Sequence, residues 1–173
     1  MSEVNVLFIN GWGGAITSTS LAGMRAKTIA RFGSSIYCPP PVNYTETGLI
    51  LRYLEKWTDA QILVGLSCGC STINAIAHHV SKGERIPFAM YCSPSMWCGI
   101  GTVPPIIRRA TQVSSWAGDF FNPGTRRLVV RAPGNTTTHI DEIKTGLAHG
   151  STPSSPLAVD RLYAEILQAQ KGL

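Results

Sequence analysis

Residues 61–79, QILVGLSCGCSTINAIAHH, constrain the fold more than any other stretch of this chain. Ile62-Leu63-Val64 is a short apolar run of the kind that forms a buried strand. From Cys70 to about Val80 the pattern turns helical: Ile73, Ile76, Ala77 and Val80 fall at helical spacing, with polar Asn74 and His78 between them. Between strand and helix lies Gly65-Leu66-Ser67-Cys68-Gly69, a G-x-S-x-G pattern. A strand that turns sharply into a helix crowds the positions two before and two after the apex, so both must be small. The apex serine is then held in a strained conformation with its hydroxyl exposed above the sheet. The positive end of the helix behind it favours developing negative charge.

Other readings of this turn fit less well. A phosphate-binding loop would show GK[ST] or G-x-G-x-x-G, and neither is present. Cys68 and Cys70 share the turn, and a thiolate is the better intrinsic nucleophile. Cys68 at the apex would place Leu66 at a crowded position, and Cys70 would place Cys68 and Thr72 there. Ser67, flanked by Gly65 and Gly69, is the apex that fits, and the cysteines read as small packing residues.

With the motif GLSCG at 65–69 the chain resembles the α/β-hydrolase superfamily, and that resemblance supplies expectations for the rest of the sequence. Val4–Ile9 is a β-branched strand running into Asn10-Gly11-Trp12-Gly13-Gly14. In the superfamily such a loop donates one oxyanion-hole N–H, which by position is that of Trp12; the second is the N–H of Cys68. Asn10 stands where a histidine is common. A helix is expected from Thr17 to Phe32, capped by Ser18 or Ser20, then a short strand from Ser35 to Cys38 ended by Pro39-Pro40-Pro41. A second helix begins at Thr45. Ile86–Cys92 is the next strand, and Met96, Trp97 and Ile100 after it are candidates for a substrate wall. Residues 99–109 are the one candidate cap, short enough to leave the site open.

The acid and the base follow from order along the chain. Gln112–Ala117 reads as a strand ending in Gly118-Asp119, where the superfamily often carries its triad acid, although aspartate is also common in plain turns. Asp59 precedes the nucleophile strand and is a poor substitute. Arg127–Ala132 reads as the last strand, running into PGNTTTH, and Pro156–Gln170 as the closing helix. A histidine between last strand and last helix is the usual base. His139 is preferred, His149 is its rival, and Asp141 reads as the cap of a short helix, DEIKTGL. His78 and His79 ride the helix behind the nucleophile, pointing away from the active edge.

Composition limits the alternatives. The 173 residues suit one domain spanning 1–173, long enough for a real core. Only 14% are charged, as expected for a central sheet covered on both faces. The net charge of +5 is scattered, with no basic run interleaved with aromatics, which argues against nucleic-acid binding. No apolar segment is long enough to span a bilayer, and the residues ahead of the first strand lack the basic region of a secretory leader. A cytoplasmic location with reduced cysteines is the expectation. The cysteines include no CxxC pair, so no metal site is expected.

Together these readings imply a three-layer α/β/α sandwich, a mostly parallel sheet of about six strands, and a minimal α/β-hydrolase fold without the two leading antiparallel strands of fuller members. The implied activity is a cofactor-free serine hydrolase that cleaves a carboxylic ester or thioester. Its triad would be Ser67, Asp119 and His139, with Trp12, Met96, Trp97, Phe120 and Phe121 around a pocket for an acyl or aromatic substrate. An acyltransferase with the same triad, or a non-catalytic binding or scaffold protein on this fold, stays open, as does the oligomeric state.

Overall fold

The structure, a computed structural model, describes residues 4–12, 14–57, 60–79, 86–116, 119–122 and 127–172, with side chains described outside 14–19. Its spine is a parallel sheet. β1 (Val4–Asn10), β4 (Ala60–Leu66) and β5 (Ile86–Cys92) lie side by side. β7 (Ile107–Ser114) and β9 (His139–Lys144) extend it on one side. On the other side two short strands, β2 (Ile36–Tyr37) and β3 (Val42–Asn43), pair with the two ends of β1. Pro39-Pro40-Pro41 separates them, since proline has no N–H for the ladder and is confined to edges and interruptions. All of these pairings are parallel. The expected sheet of about six mostly parallel strands is therefore present, with its sixth position shared by β2 and β3.

Every residue of β1 and of β5 is buried, as a strand covered on both faces must be. Alternation then sorts the side chains into two cores. Leu7, Ile9 and Leu63 face α2 (Thr47–Lys56) and α3 (Gly69–Ala77), where Ile50, Leu54, Ile73 and Ile76 meet them. Val4, Val6, Phe8, Ile62 and Val64 face α1 (Gly14–Phe32) and α4 (Pro156–Gln170), meeting Leu21, Met24, Leu162 and Ile166. Each fully buried aliphatic or aromatic side chain contributes about 1.5–3 kcal/mol. A buried Glu165 on α4 adds an ionic tie: Arg109 of β7 pairs with it at 2.7 Å, and Arg161 bridges it to Asp141 of β9.

Several expectations are corrected. The last strand of the sheet is β9, not 127–132; that segment supplies only β8 (Val130–Arg131), which pairs with β6 (Thr102–Val103) in a separate two-stranded ribbon. Asp141 sits within β9 and accepts a hydrogen bond from Thr111 rather than capping a helix. Residues 99–109 form no cap, since they hold β6 and the start of β7. The strand expected at 112–117 starts earlier, at Ile107. The first helix starts at Gly14 and the second at Thr47. Gly13, Asp59, Val80, Ala117 and Gly118 lie outside the described residues.

Candidate active site

The strand–turn–helix at 65–69 forms as its spacing requires. Ser67 follows β4 directly, has φ 55° in the left-handed region, and is only 4% exposed. A non-glycine residue rarely adopts that conformation, and here the surroundings enforce it. The Ser67 N–H donates to the Cys92 carbonyl of β5 (3.0 Å), while the Ser67 carbonyl accepts from Cys70 N–H as α3 begins. A Cβ on Gly65 would lie 2.7 Å from the Gly69 carbonyl oxygen, and one on Gly69 would lie 2.2 Å from that of Ile9. The two glycines are thus the steric condition for the turn.

Asp119, the expected acid, lies beside a histidine. Asp119 is buried and accepts from Ser115 Oγ, from the Phe121 N–H (2.9 Å) and from a histidine Nδ1 (2.7 Å). Burial works against the ionised carboxylate. The hydrogen bonds from Ser115, His149 and the Phe121 N–H outweigh it and hold Asp119 below the usual carboxylate range.

That histidine is His149, not His139. His139 opens β9 opposite Arg109, whereas the active edge of β9 is its far end, where Lys144 faces Ser114. Five residues at ~3.3 Å each separate those points by about 16 Å, beyond any hydrogen bond to Ser67. His139 is exposed and lines a separate cavity with Arg127 and Arg131. The chain passes through β9 to the active edge, crosses residues 145–148, and delivers His149 at the start of a 3-10 turn, His149–Ser154. A buried pair between Ser93 Oγ and Thr152 Oγ1 (2.8 Å) fastens that turn to the end of β5. His149 Nε2 is buried and has no hydrogen-bond partner among the described residues. His78 and His79 are exposed at the end of α3.

Ser67 and His149 line one cavity of about 480 Å³, together with Trp12, Tyr44, Cys68, Ser95, Trp97, Cys98, Phe121 and Gly150. Trp12 and Cys68 thus both reach the site where the two oxyanion N–H groups are expected. The two loops also touch: a Cβ on Gly11 would fall 2.6 Å from Ser67 Cβ. Of the expected wall residues Trp12 and Trp97 line the cavity. Phe120, 72% exposed, stacks on Trp97 with centroids 5.9 Å apart, and Met96 is exposed. Phe121, also expected at the pocket, lines the cavity with its ring 4.5 Å from that of His149.

Two features had little sequence signal. Tyr44 reaches the cavity because β3 docks on β1, its N–H donating to the Asn10 carbonyl (2.9 Å). Cys68 is no simple packing residue: it is disulfide-bonded to Cys98, while Cys38, Cys70 and Cys92 are free and buried. The only hint was that both cysteines follow the ends of neighbouring strands.

Among the described residues no group of three His, Cys, Asp or Glu side chains is arranged to hold a metal ion, and no helix is long and apolar enough to cross a membrane. No protein family and no curated protein sequence matches the chain. Several solved structures resemble it in three dimensions, including two that span nearly all of it. The ydeN gene product of Bacillus subtilis aligns with 96% of this chain and 100% of its own, at 15% identity and a TM-score of 0.65. A candidate YdeN-like hydrolase from Pectobacterium atrosepticum aligns over 96% of this chain and 92% of its own, at 14% identity and a TM-score of 0.59. At this level of identity the likeness establishes that the chain shares their fold.

Proposed function

We propose that the protein is a serine hydrolase that cleaves a carboxylic ester or thioester through an acyl-enzyme on Ser67. His149 is the general base and Asp119 the acid that orients it. The observation that carries this reading is the pairing of a left-handed Ser67 with His149 in one cavity, the imidazole held through Nδ1 by a buried carboxylate. That hydrogen bond fixes the proton on Nδ1 and leaves Nε2 as the basic nitrogen. The hydrolase description of one structural neighbour points the same way.

His149 takes the Ser67 proton as the hydroxyl attacks the carbonyl carbon, and the oxyanion is held by the N–H groups of Trp12 and Cys68. One such donor typically contributes about 2.7–4 kcal/mol. Collapse expels the alcohol or thiol with the proton from His149. Water, deprotonated by the same imidazole, then releases the acid. Asp119 stays ionised and stabilises the imidazolium. The aromatic walls, Trp12, Tyr44, Trp97 and Phe121, favour an acyl or aromatic group over a sugar.

Hydrolysis of short- and medium-chain p-nitrophenyl esters by wild type beside Ser67→Ala tests the reading. Turnover is expected in wild type and lost in the variant, with the fold retained; equal rates in both would overturn it.

A further inference from the structure

The Cys68–Cys98 disulfide joins two parts of the cavity that otherwise belong to different loops. Cys68 follows the nucleophile and opens α3; Cys98 ends the 3-10 turn Met96–Cys98, which carries Trp97 onto the opposite wall. Their Cα atoms are 5.3 Å apart, within the range a disulfide spans without backbone movement.

The two loops are secured very differently. The nucleophile turn is held by backbone bonds: Ser67 N–H to Cys92, Cys70 N–H to Ser67 and Ser71 N–H to Cys68. These do not depend on the disulfide. Among the described residues the Trp97 turn rests on one outside backbone bond, Met96 N–H to the Phe121 carbonyl (3.0 Å), and on the stacking of Trp97 against the exposed Phe120. Its remaining bonds, Trp97 N–H to Ser95 Oγ and Cys98 N–H to the Ser95 carbonyl, are internal. Trp97 is 67% exposed, so little packing burial fixes it.

We infer that Cys98 is a positioning residue whose disulfide to Cys68 clamps the Trp97 wall against the nucleophile, so that the thiol redox state of the surroundings sets how tightly the site holds its substrate. This rests on the serine-hydrolase reading of the same cavity. The opening reaction is thiol–disulfide exchange with a dithiol. A reductant thiolate attacks Sγ of half-buried Cys98, the more accessible sulfur, and Cys68 leaves as a thiolate. The second reductant thiol then closes on the first and frees Cys98. Two electrons and two protons pass to the protein, and the reductant becomes a cyclic disulfide. The other cysteines stay out of the exchange. Cys70 and Cys92 are fully enclosed and Cys38 is buried; burial raises all three thiols, Cys38 to about 11 against the pull of Arg25.

Because the turn that carries Ser67 keeps its backbone bonds, reduction removes a binding wall and leaves the reacting groups in place. Loss of uniform binding raises KM with kcat preserved. The experiment compares air-purified wild type, the same protein reduced with dithiothreitol, and Cys98→Ser. Alkylation of denatured protein should find three free thiols before reduction and five after. On a p-nitrophenyl ester KM should rise about three- to tenfold on reduction with kcat within about twofold. Cys98→Ser should match the reduced enzyme and ignore dithiothreitol. Amide exchange over residues 95–99 should speed up on reduction, a readout that needs no turnover. Five free thiols in protein incubated with oxidised glutathione, or unchanged exchange at 95–99 on reduction, would overturn the clamp. So would an unchanged KM in a protein whose Ser67 reacts with a fluorophosphonate. Failure of Ser67 to react in either redox state would instead remove the hydrolase reading, leaving amide exchange to decide the clamp.

Discussion

The two halves of the candidate site are built on opposite principles. The nucleophile side is a steric device: Gly65, Ser67 and Gly69 form one turn that admits no larger residue at its glycine positions. The histidine side is an assembly of distant parts. Asp119 from the loop after β7, His149 from the loop after β9 and Thr152 docked on Ser93 just beyond β5 converge only once the sheet exists. A local device leaves its mark in adjacent residues; an assembly leaves it in the order of strands.

That difference explains what was legible. Strands β1, β4 and β5 are apolar apart from Asn5, Asn10 and Gln61, so their runs announce them, as does the apolar face of α4. Strand β9, HIDEIK, does not. As an edge strand it carries charges that discourage pairing with other chains, and none of its residues is fully buried. Its acids are satisfied across the strand pair, Asp141 by Thr111 and Glu142 by Ser114, which no local pattern reveals. Read as loop and helix, β9 drops out and the final strand falls one element too early; the rule that a histidine follows the last strand then selects His139. Applied to the true last strand, the same rule selects His149.

The largest effect expected from this contrast is on catalysis. His149→Ala should cut turnover on the order of 10²–10⁴-fold, the usual worth of a positioned general base. His139→Ala, about 16 Å away along β9, should leave kcat and KM within about twofold. Parallel ester kinetics on the two variants measure both.

Next comes the sheet edge that carries the histidine side. Glu165→Gln strips the partner from Arg109 and weakens the tie of α4 to β7 and β9. Breaking a largely buried pair should cost about 3 kcal/mol in urea unfolding, with activity of the folded enzyme retained. A loss below about 0.5 kcal/mol would show that the network is ornamental.

A smaller effect concerns the clasp under His149. Ser93→Ala leaves Thr152 Oγ1 buried without its partner, which should cost about 1–2 kcal/mol, read from the urea midpoint. It should also lower kcat more than a matched surface change, because the 3-10 turn carrying His149, the proposed base, is loosened.

The smallest is a pH effect. Asp119 has a folded-state pKa below its unfolded value, so its contribution to stability is fully present above about pH 4 and is lost as pH falls through the depressed folded value. Asp119→Asn should therefore flatten the acid limb of the stability profile below pH 4 while also impairing the base. An unchanged acid limb would mean that the carboxylate gains nothing from Ser115, His149 and Phe121.

The most direct test of the account is covalent labelling by a fluorophosphonate, read by mass at Ser67 in wild type, His139→Ala and His149→Ala. The account predicts rapid labelling of Ser67 in the first two and little in the third. Labelling of His149→Ala at the wild-type rate, or loss of labelling in His139→Ala alone, would contradict it.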